Sequence, residues 1–140
     1  MFTFLADINL VGNYIQLTQS STYSPSNPAV NGIDGDLTTY VETNHGYNGQ
    51  WWNVKFSKSY SLGRFIVHAR HHCCTERIGN NEIYIFSGDR DTNRNFCAII
   101  PYTGQAWYEL QCSAPITGDG VELYISSGQI NFGEIKIYEI

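Results

Sequence analysis

Two arginines, Arg70 and Arg77, bracket the run His71-His72-Cys73-Cys74-Thr75-Glu76, and 24 residues separate His45 from the first of them. By residue type these side chains offer three chemistries. Guanidinium groups are planar forks that donate to neighbouring oxygens and stay charged at every relevant pH, which suits recognition of a ligand rich in oxygen. His68, His71, His72, Cys73 and Cys74 are all zinc-ligand types. Successive residues on an extended segment point to opposite faces, however, so they do not converge on one tetrahedral ion, and the chain contains no C-x-x-C pair. Catalysis has less support still. There is no G-x-S-x-G and no H-E-x-x-H, and the acidic residues are too scattered to nominate the two carboxylates that a glycosidase requires.

A second cluster, Asn31-Gly32-Ile33-Asp34-Gly35-Asp36, gathers hard oxygen donors on a glycine-containing turn. It reads in two ways: as part of a calcium site, which takes six to eight oxygens including backbone carbonyls, or as an Asx turn whose side chains bond their own backbone. The cluster lies within 20–49, a stretch rich in Ser, Thr, Asn, Gly and Pro. So long a loop inside a compact domain is uncommon and usually functional or ion-organised.

The elements that must position these groups are strands. Trp51–Phe56 puts Trp52, Val54 and Phe56 on one face, and 62–70 puts Phe65, Val67 and Ala69 opposite Arg64, Ile66, His68 and Arg70. Period-two alternation continues over 81–86, 96–101, 107–112, 121–126 and 132–140, with turn residues between. This predicts an all-β sandwich or barrel with minor helix, ending on a paired strand. Cys97 and Cys112 sit at the ends of two apolar segments and could staple them, closing a loop worth ~3 kcal/mol in the chain-entropy account.

Composition narrows the partners. At 140 residues the chain suits one domain with a core of its own, 1–140. Lys plus Arg number 8 against 13 Asp plus Glu, a formal charge of -5 with no basic run, which argues against nucleic acid. Aromatics form 14% of residues and ten of them are Tyr, a side chain that serves both a sandwich core and a sugar-binding surface. No run approaches the roughly 20 apolar residues of a membrane span. The opening Met1–Asp7 lacks a basic start and has too short an apolar run for a secretory signal. The even cysteine count favours an oxidising, extracellular setting.

Three stretches taken together resemble the F-type lectin (fucolectin) family. The spacing from His45 to Arg70-His71-His72 and then, after four residues, Arg77 is similar to its signature of His, a gap, Arg-x-Asp and a second basic residue. Gln50-Trp51-Trp52-Asn53-Val54-Lys55-Phe56 is similar to its Pro-Trp-Trp-x-Val-Asp-Leu strand, and Phe132-Gly133-Glu134-Ile135-Lys136-Ile137-Tyr138 to its Leu-Cys-Glu-Val-x-Val-Tyr ending. The likeness runs from about Leu17 to Ile140. Two departures stand out: the family's Asp is His72, and two of its cysteines are replaced by Thr43 and Gly133.

The resemblance implies a discoidin-like β-sandwich that binds L-fucose in fucosylated glycans without catalysing a reaction. Arg70 and Arg77 would donate to the ring oxygen and neighbouring hydroxyls, and His45 would hold the axial hydroxyl. Cys73 and Cys74 would form a vicinal disulfide serving as an apolar ledge, against the alternative of two buried thiols. Tyr23 and Tyr40 would receive the methyl group. Structural calcium would be held by Asn31, Asp34, Asp36 and Glu134 with Gly133 and, further, Glu42. His72 would orient an arginine only while neutral, since a protonated imidazole offers no acceptor. Free fucose would bind weakly, with Kd on the order of 0.01–1 mM, so that avidity comes from oligomers or tandem copies. A different reading keeps the sandwich but changes the ligand to another sugar, a lipid headgroup or a protein.

Overall fold

The computed structural model describes residues 8–140, and the opening run Met1–Asp7 lies outside the described residues. The protein is an all-β sandwich built from eight strands: β1 (Tyr14–Gln19), β2 (Val41–Glu42), β3 (Gln50–His68), β4 (Glu82–Phe86), β5 (Arg94–Ile99), β6 (Trp107–Ile125), β7 (Asn131–Phe132) and β8 (Glu134–Glu139). Among the described residues, helix is confined to three 3₁₀ turns of four residues each, at Leu10–Asn13, Ala29–Gly32 and Thr75–Ile78.

The alternation seen in sequence is realised, but two pairs of expected segments join into longer strands, and 132–140 is divided between β7 and β8. The stretches 51–56 and 62–70 join into the 19-residue β3, and 107–112 and 121–126 into the equally long β6. These two pair antiparallel along their length, with register shifts between Lys55 and Tyr60 and between Leu62 and Arg64. Such irregularities bend a strand and increase its twist. The result is that one end of β3 pairs β1 and the other end pairs β8, while β6 also pairs β4. The main sheet runs β1-β3-β6-β4-β5, and β2 pairs β7 separately.

The inward faces are those expected. Trp52, Val54, Phe56, Phe65 and Val67 are buried with Ile83, Ile85, Val121, Leu123, Phe132, Ile135 and Ile137. The Trp52 and Phe132 rings meet edge to face at 5.3 Å, and the indole N–H donates to the Ala29 carbonyl, so the one polar atom of that side chain is satisfied. Cys97 and Cys112 are bonded, tying β5 to β6.

Both ends of the loop 20–49 are anchored to the sheets. Ser20 N–H donates to the Trp51 carbonyl and Gly49 N–H to the Ser126 carbonyl, while within the loop Val41 and Glu42 pair with Phe132 and Asn131. Leaving β3 at His68, the chain enters the segment that carries Arg70 through Arg77. These two loops therefore emerge beside the β7–β8 junction, where Gly133 N–H donates to the His68 carbonyl. A Cβ at Gly133 would stand 2.9 Å from the Ala69 carbonyl oxygen, so the close approach requires glycine.

Candidate functional site

The centre of the site is a buried carboxylate. Glu42, at 6% exposure, accepts from Asn27 Nδ2 at 3.3 Å through Oε1 and from Arg77 Nη1 at 3.4 Å through Oε2, with Arg70 Nη1 at 3.8 Å from the same oxygen. Glu42, expected as a further calcium ligand, is thus placed as the shared counterion of the two arginines. The negative charge absent at position 72 is supplied from a different strand.

Arg70 is held on several sides. Nη2 donates to Tyr40 Oη at 2.9 Å and lies 3.1 Å from His72 Nε2, while the guanidinium carbon sits 3.9 Å from the centre of the Tyr40 ring. An arginine N–H has no lone pair, so this contact requires His72 Nε2 to be the acceptor. Arg70 Nε is buried without a hydrogen-bond partner. A buried unpaired donor is costly unless a ligand or water completes it. Tyr40, expected to form an apolar wall for a methyl group, lines the cleft and gives its ring and hydroxyl to Arg70.

Local backbone explains where Arg77 goes. Cys73 and Cys74 form the vicinal disulfide, and Cys74 adopts the left-handed region at φ 65 as it enters the 3₁₀ turn Thr75–Ile78. That turn buries Ile78 and directs Arg77 toward Glu42. His45 follows β2 and is exposed, with its ring edge-on to Tyr47 at 5.8 Å. Together Tyr23, Tyr40, Glu42, His45, Arg70 and Arg77 line one open cleft of about 570 Å³, within the usual size range for small-ligand sites. Ser24, Ser26, Asn27 and Gln129 complete the lining and were not anticipated from sequence. Their polar side chains sit in ordinary loop contexts that carry no linear signal.

The second cluster also folds together in part. Asp34 Oδ1 accepts from Asp36 N–H and Oδ2 from Thr39 Oγ1, while Asp36 Oδ1 accepts from Thr38 N–H and its hydroxyl. These are the self-bonding turns of the Asx alternative. Glu134 reaches the same place across the fold and accepts from Gly35 N–H at 3.1 Å. Burial, and next the charge of Asp34, push its carboxyl up to about 8. Asn31 Nδ2 donates to the Ser26 and Tyr40 carbonyls. Among the described residues no three His, Cys, Asp or Glu side chains converge as a metal-binding group. A buried carboxylate opposed by the charge of a second one is a place where a hard cation would relieve the repulsion, and Gly133 could contribute only its carbonyl.

The family profile of the NedA-like, galactose-binding domain matches residues 31–123, well over half of the chain and all of the arginine-bearing segment. The chain belongs to this family. No curated protein matches it at a significant level. Among solved structures it is similar to the fucolectin from striped bass (Morone saxatilis) serum, with a TM-score of 0.82 at 19% identity over 94% of this chain and 48% of that one, so the chain spans about half the length of that lectin. It is also similar to a Streptococcus pneumoniae fucose binding module (TM-score 0.78, 17% identity, 97% of this chain and 99% of that chain). A family 32 carbohydrate-binding module from Clostridium perfringens, solved with galactose, gives 0.75 at 17% identity, covering 89% and 93%. These likenesses establish the discoidin-like, F-type lectin fold expected from the sequence.

Proposed function

We propose that this domain is a non-catalytic lectin module that binds L-fucose in fucosylated glycans through His45, Arg70 and Arg77, with calcium as a structural ion. The observation that carries the reading is the placement of Arg70 and Arg77 about one buried carboxylate at the base of a cleft that His45 also lines. Guanidiniums fixed in this way present donors in preset directions, so little ordering entropy is lost when a polyhydroxylated ligand arrives. The vicinal disulfide, with Cys73 exposed and outside the cleft lining, would offer an apolar surface to a deoxysugar methyl from the segment between the two arginines, and Tyr23 lines the cleft itself.

Calcium would be held by Asp34 and Glu134, with oxygens from Asn31, Asp36 and the Gly133 carbonyl. When bound, the ion supplies charge neutralisation to the two carboxylates and order to the loop. The chain's own residues perform recognition. The two disulfides accord with an extracellular setting, and among the described residues no helix is long and apolar enough to cross a membrane.

Galactose is the second reading, favoured by the family to which the chain belongs. Isothermal titration with L-fucose and D-galactose separates the two. Fucose binding that is lost in Arg77→Ala supports the first reading, and galactose binding with no fucose binding overturns it.

A further inference from the structure

An antiparallel sheet that covers a core with one face commonly gives the other face to water. The main sheet departs from this on its outer side. Because Trp52, Val54 and Phe56 point inward, Trp51, Asn53 and Lys55 point outward. Strand pairing then sets two rows across the outer face: Thr18, Asn53, Glu122 and Tyr84, and beside it Gln16, Lys55, Gly120 and Phe86. Within these rows Glu122 is fully buried, Phe86 is 4% exposed and Asn53 7%. The cause is the hairpin 87–93 between β4 and β5, which folds back over this face.

The hairpin is fastened at several points. Arg90 donates twice to Glu122 and once to Asp91, and its guanidinium lies 4.7 Å from the centre of the Trp51 ring. Arg94 donates to the same carboxylate and stacks on the Tyr84 and Tyr124 rings at 4.3 and 4.6 Å. Lys55 Nζ donates to the Gly88 carbonyl, and Gly88 N–H to Asp119. With its amide turned to satisfy both of its ends, Asn53 Nδ2 donates to Glu122 Oε2 at 2.8 Å. Glu122 is thereby saturated and anchors the hairpin; it is not a group left for a ligand.

Beside the hairpin, a cleft of about 290 Å³ opens between residues 88–91 and Gln16, Thr18, Trp51 and Lys55, close to the lower end of the range for small-ligand sites. It shares no lining residue with the arginine cleft. Its charges balance, Lys55 and Arg90 against Asp89 and Asp91, so neither an anion nor a cation is favoured. Hydroxyl and amide side chains that both donate and accept, carboxylates that accept, and the aromatic wall of Trp51 together suit a neutral polyhydroxylated ring. The Trp51, Asn53 and Arg90 side chains are held in place before any ligand arrives, which limits the ordering entropy lost on binding.

We propose that this cleft on the outer face of the sheet is a second, independent binding site for a neutral pyranose, so that one domain engages two sugars at separate places. The proposal is independent of which sugar fills the arginine cleft.

The test is amide and indole chemical-shift mapping with the methyl pyranosides of D-glucose, D-galactose, D-mannose and N-acetyl-D-glucosamine, on wild type and on Arg77→Ala. At least one probe should give saturable shifts at Thr18, Trp51, Lys55 and residues 88–91, with Kd on the order of 1–10 mM for a single sugar on a small contact. Arg77→Ala should retain those shifts. Trp51→Ala should abolish them, but Trp51 also carries Arg90, so a second variant is needed that leaves the Glu122 cluster alone. Thr18→Val is that variant: it preserves the β-branched shape, and it should weaken the probe at least about threefold, the equivalent of one hydrogen bond, while fucose titration at the arginine cleft is unchanged. The proposal is overturned if no probe saturates at these residues, or if Trp51→Ala and Thr18→Val both bind as wild type does. It is equally overturned if the shifts vanish in Arg77→Ala, which would place the sugar in the arginine cleft alone.

Discussion

Replacing Glu42 with Gln keeps the shape of the side chain and removes the charge on which both site arginines converge. Removing one partner from a fully buried ion pair costs about 3–5 kcal/mol. Here the side chains of Glu42 and Arg70 are 8% and 13% exposed, but that of Arg77 is 37% exposed and the nitrogen–oxygen separations are 3.8 and 3.4 Å. Solvent screens such a pair, so the cost should be about 1–2 kcal/mol. For a domain of this size that lowers Tm by roughly 3–8 °C. Fucose affinity should fall by about tenfold, because Arg77 loses its fixed acceptor and two neighbouring cations lose their counterion. The assay pairs thermal melts, with and without added calcium, with calorimetric titration of methyl fucoside. Any stabilisation by calcium should survive in Glu42→Gln, since this carboxylate faces the arginines. The reasoning is refuted if the variant melts and binds like wild type. It is refuted in a different way if calcium-linked stability disappears while fucose affinity stays, which would return Glu42 to the ion.

Arg77→Ala should weaken fucose at least tenfold in calorimetry with only a small change in Tm, because a half-exposed arginine contributes little to folding. For Glu134, the folded carboxyl is raised to about 8 from an ordinary value of 4.5, so its contribution to stability is complete below 4.5 and is lost as pH climbs through 8. Melts in chelator should therefore decline from pH 5 to 9, calcium should restore the alkaline end, and Glu134→Gln should flatten the chelated profile. If the melting curve in chelator matches that in calcium and elemental analysis finds no metal, the structural ion is excluded. For His72, the Ala variant should weaken fucose binding in calorimetry, since it removes the acceptor beside Arg70 Nη2. His72→Asp, which restores an acceptor, should bind at least as tightly as wild type, and unchanged affinity in His72→Ala would show that this contact does not orient Arg70.

What could be read from sequence followed physical range. Alternation is a local signal, so the burial of Trp52, Val54, Phe56, Phe65 and Val67 was legible. Strand continuity was not, because the register shifts that carry β3 and β6 through their bends depend on partner strands. The short β1 was hidden by its mixed burial, with three exposed residues preceding three half-buried ones. In the site, the His45–Arg70–Arg77 spacing and the Cys73–Cys74 pair were legible because each is a linear pattern. Glu42 was read only as a further calcium ligand: it precedes Thr43 and His45 in the same loop as Asp34 and Asp36, and nothing in the linear order reveals that β2 turns it toward residues 70 and 77. Tyr40 was named from its loop position, but the stacking of a guanidinium on its ring is visible only in three dimensions.

The F-type lectin pattern that the sequence resembles has cysteines where this chain has Thr43 and Gly133, which raises the question of what holds the loop 20–49 here. The structure gives a noncovalent answer at the same place. Thr43 N–H donates to the Ile130 carbonyl at 2.9 Å, and the Thr43 hydroxyl accepts from Ile130 N–H at 2.9 Å, so a single residue ties β2 to the chain entering β7 twice. Asn131 Nδ2 adds a bond to the Val41 carbonyl at 2.8 Å, and both Thr43 and Asn131 are buried, where such bonds are least exposed to competition from water. Position 133 in turn is closed to any side chain by the Ala69 carbonyl. A cysteine there would have to push back the strand end that leads directly into Arg70. Glycine at 133 and threonine at 43 are therefore one solution: the first brings β8 against the arginine segment, and the second fixes Glu42 and His45 beside it.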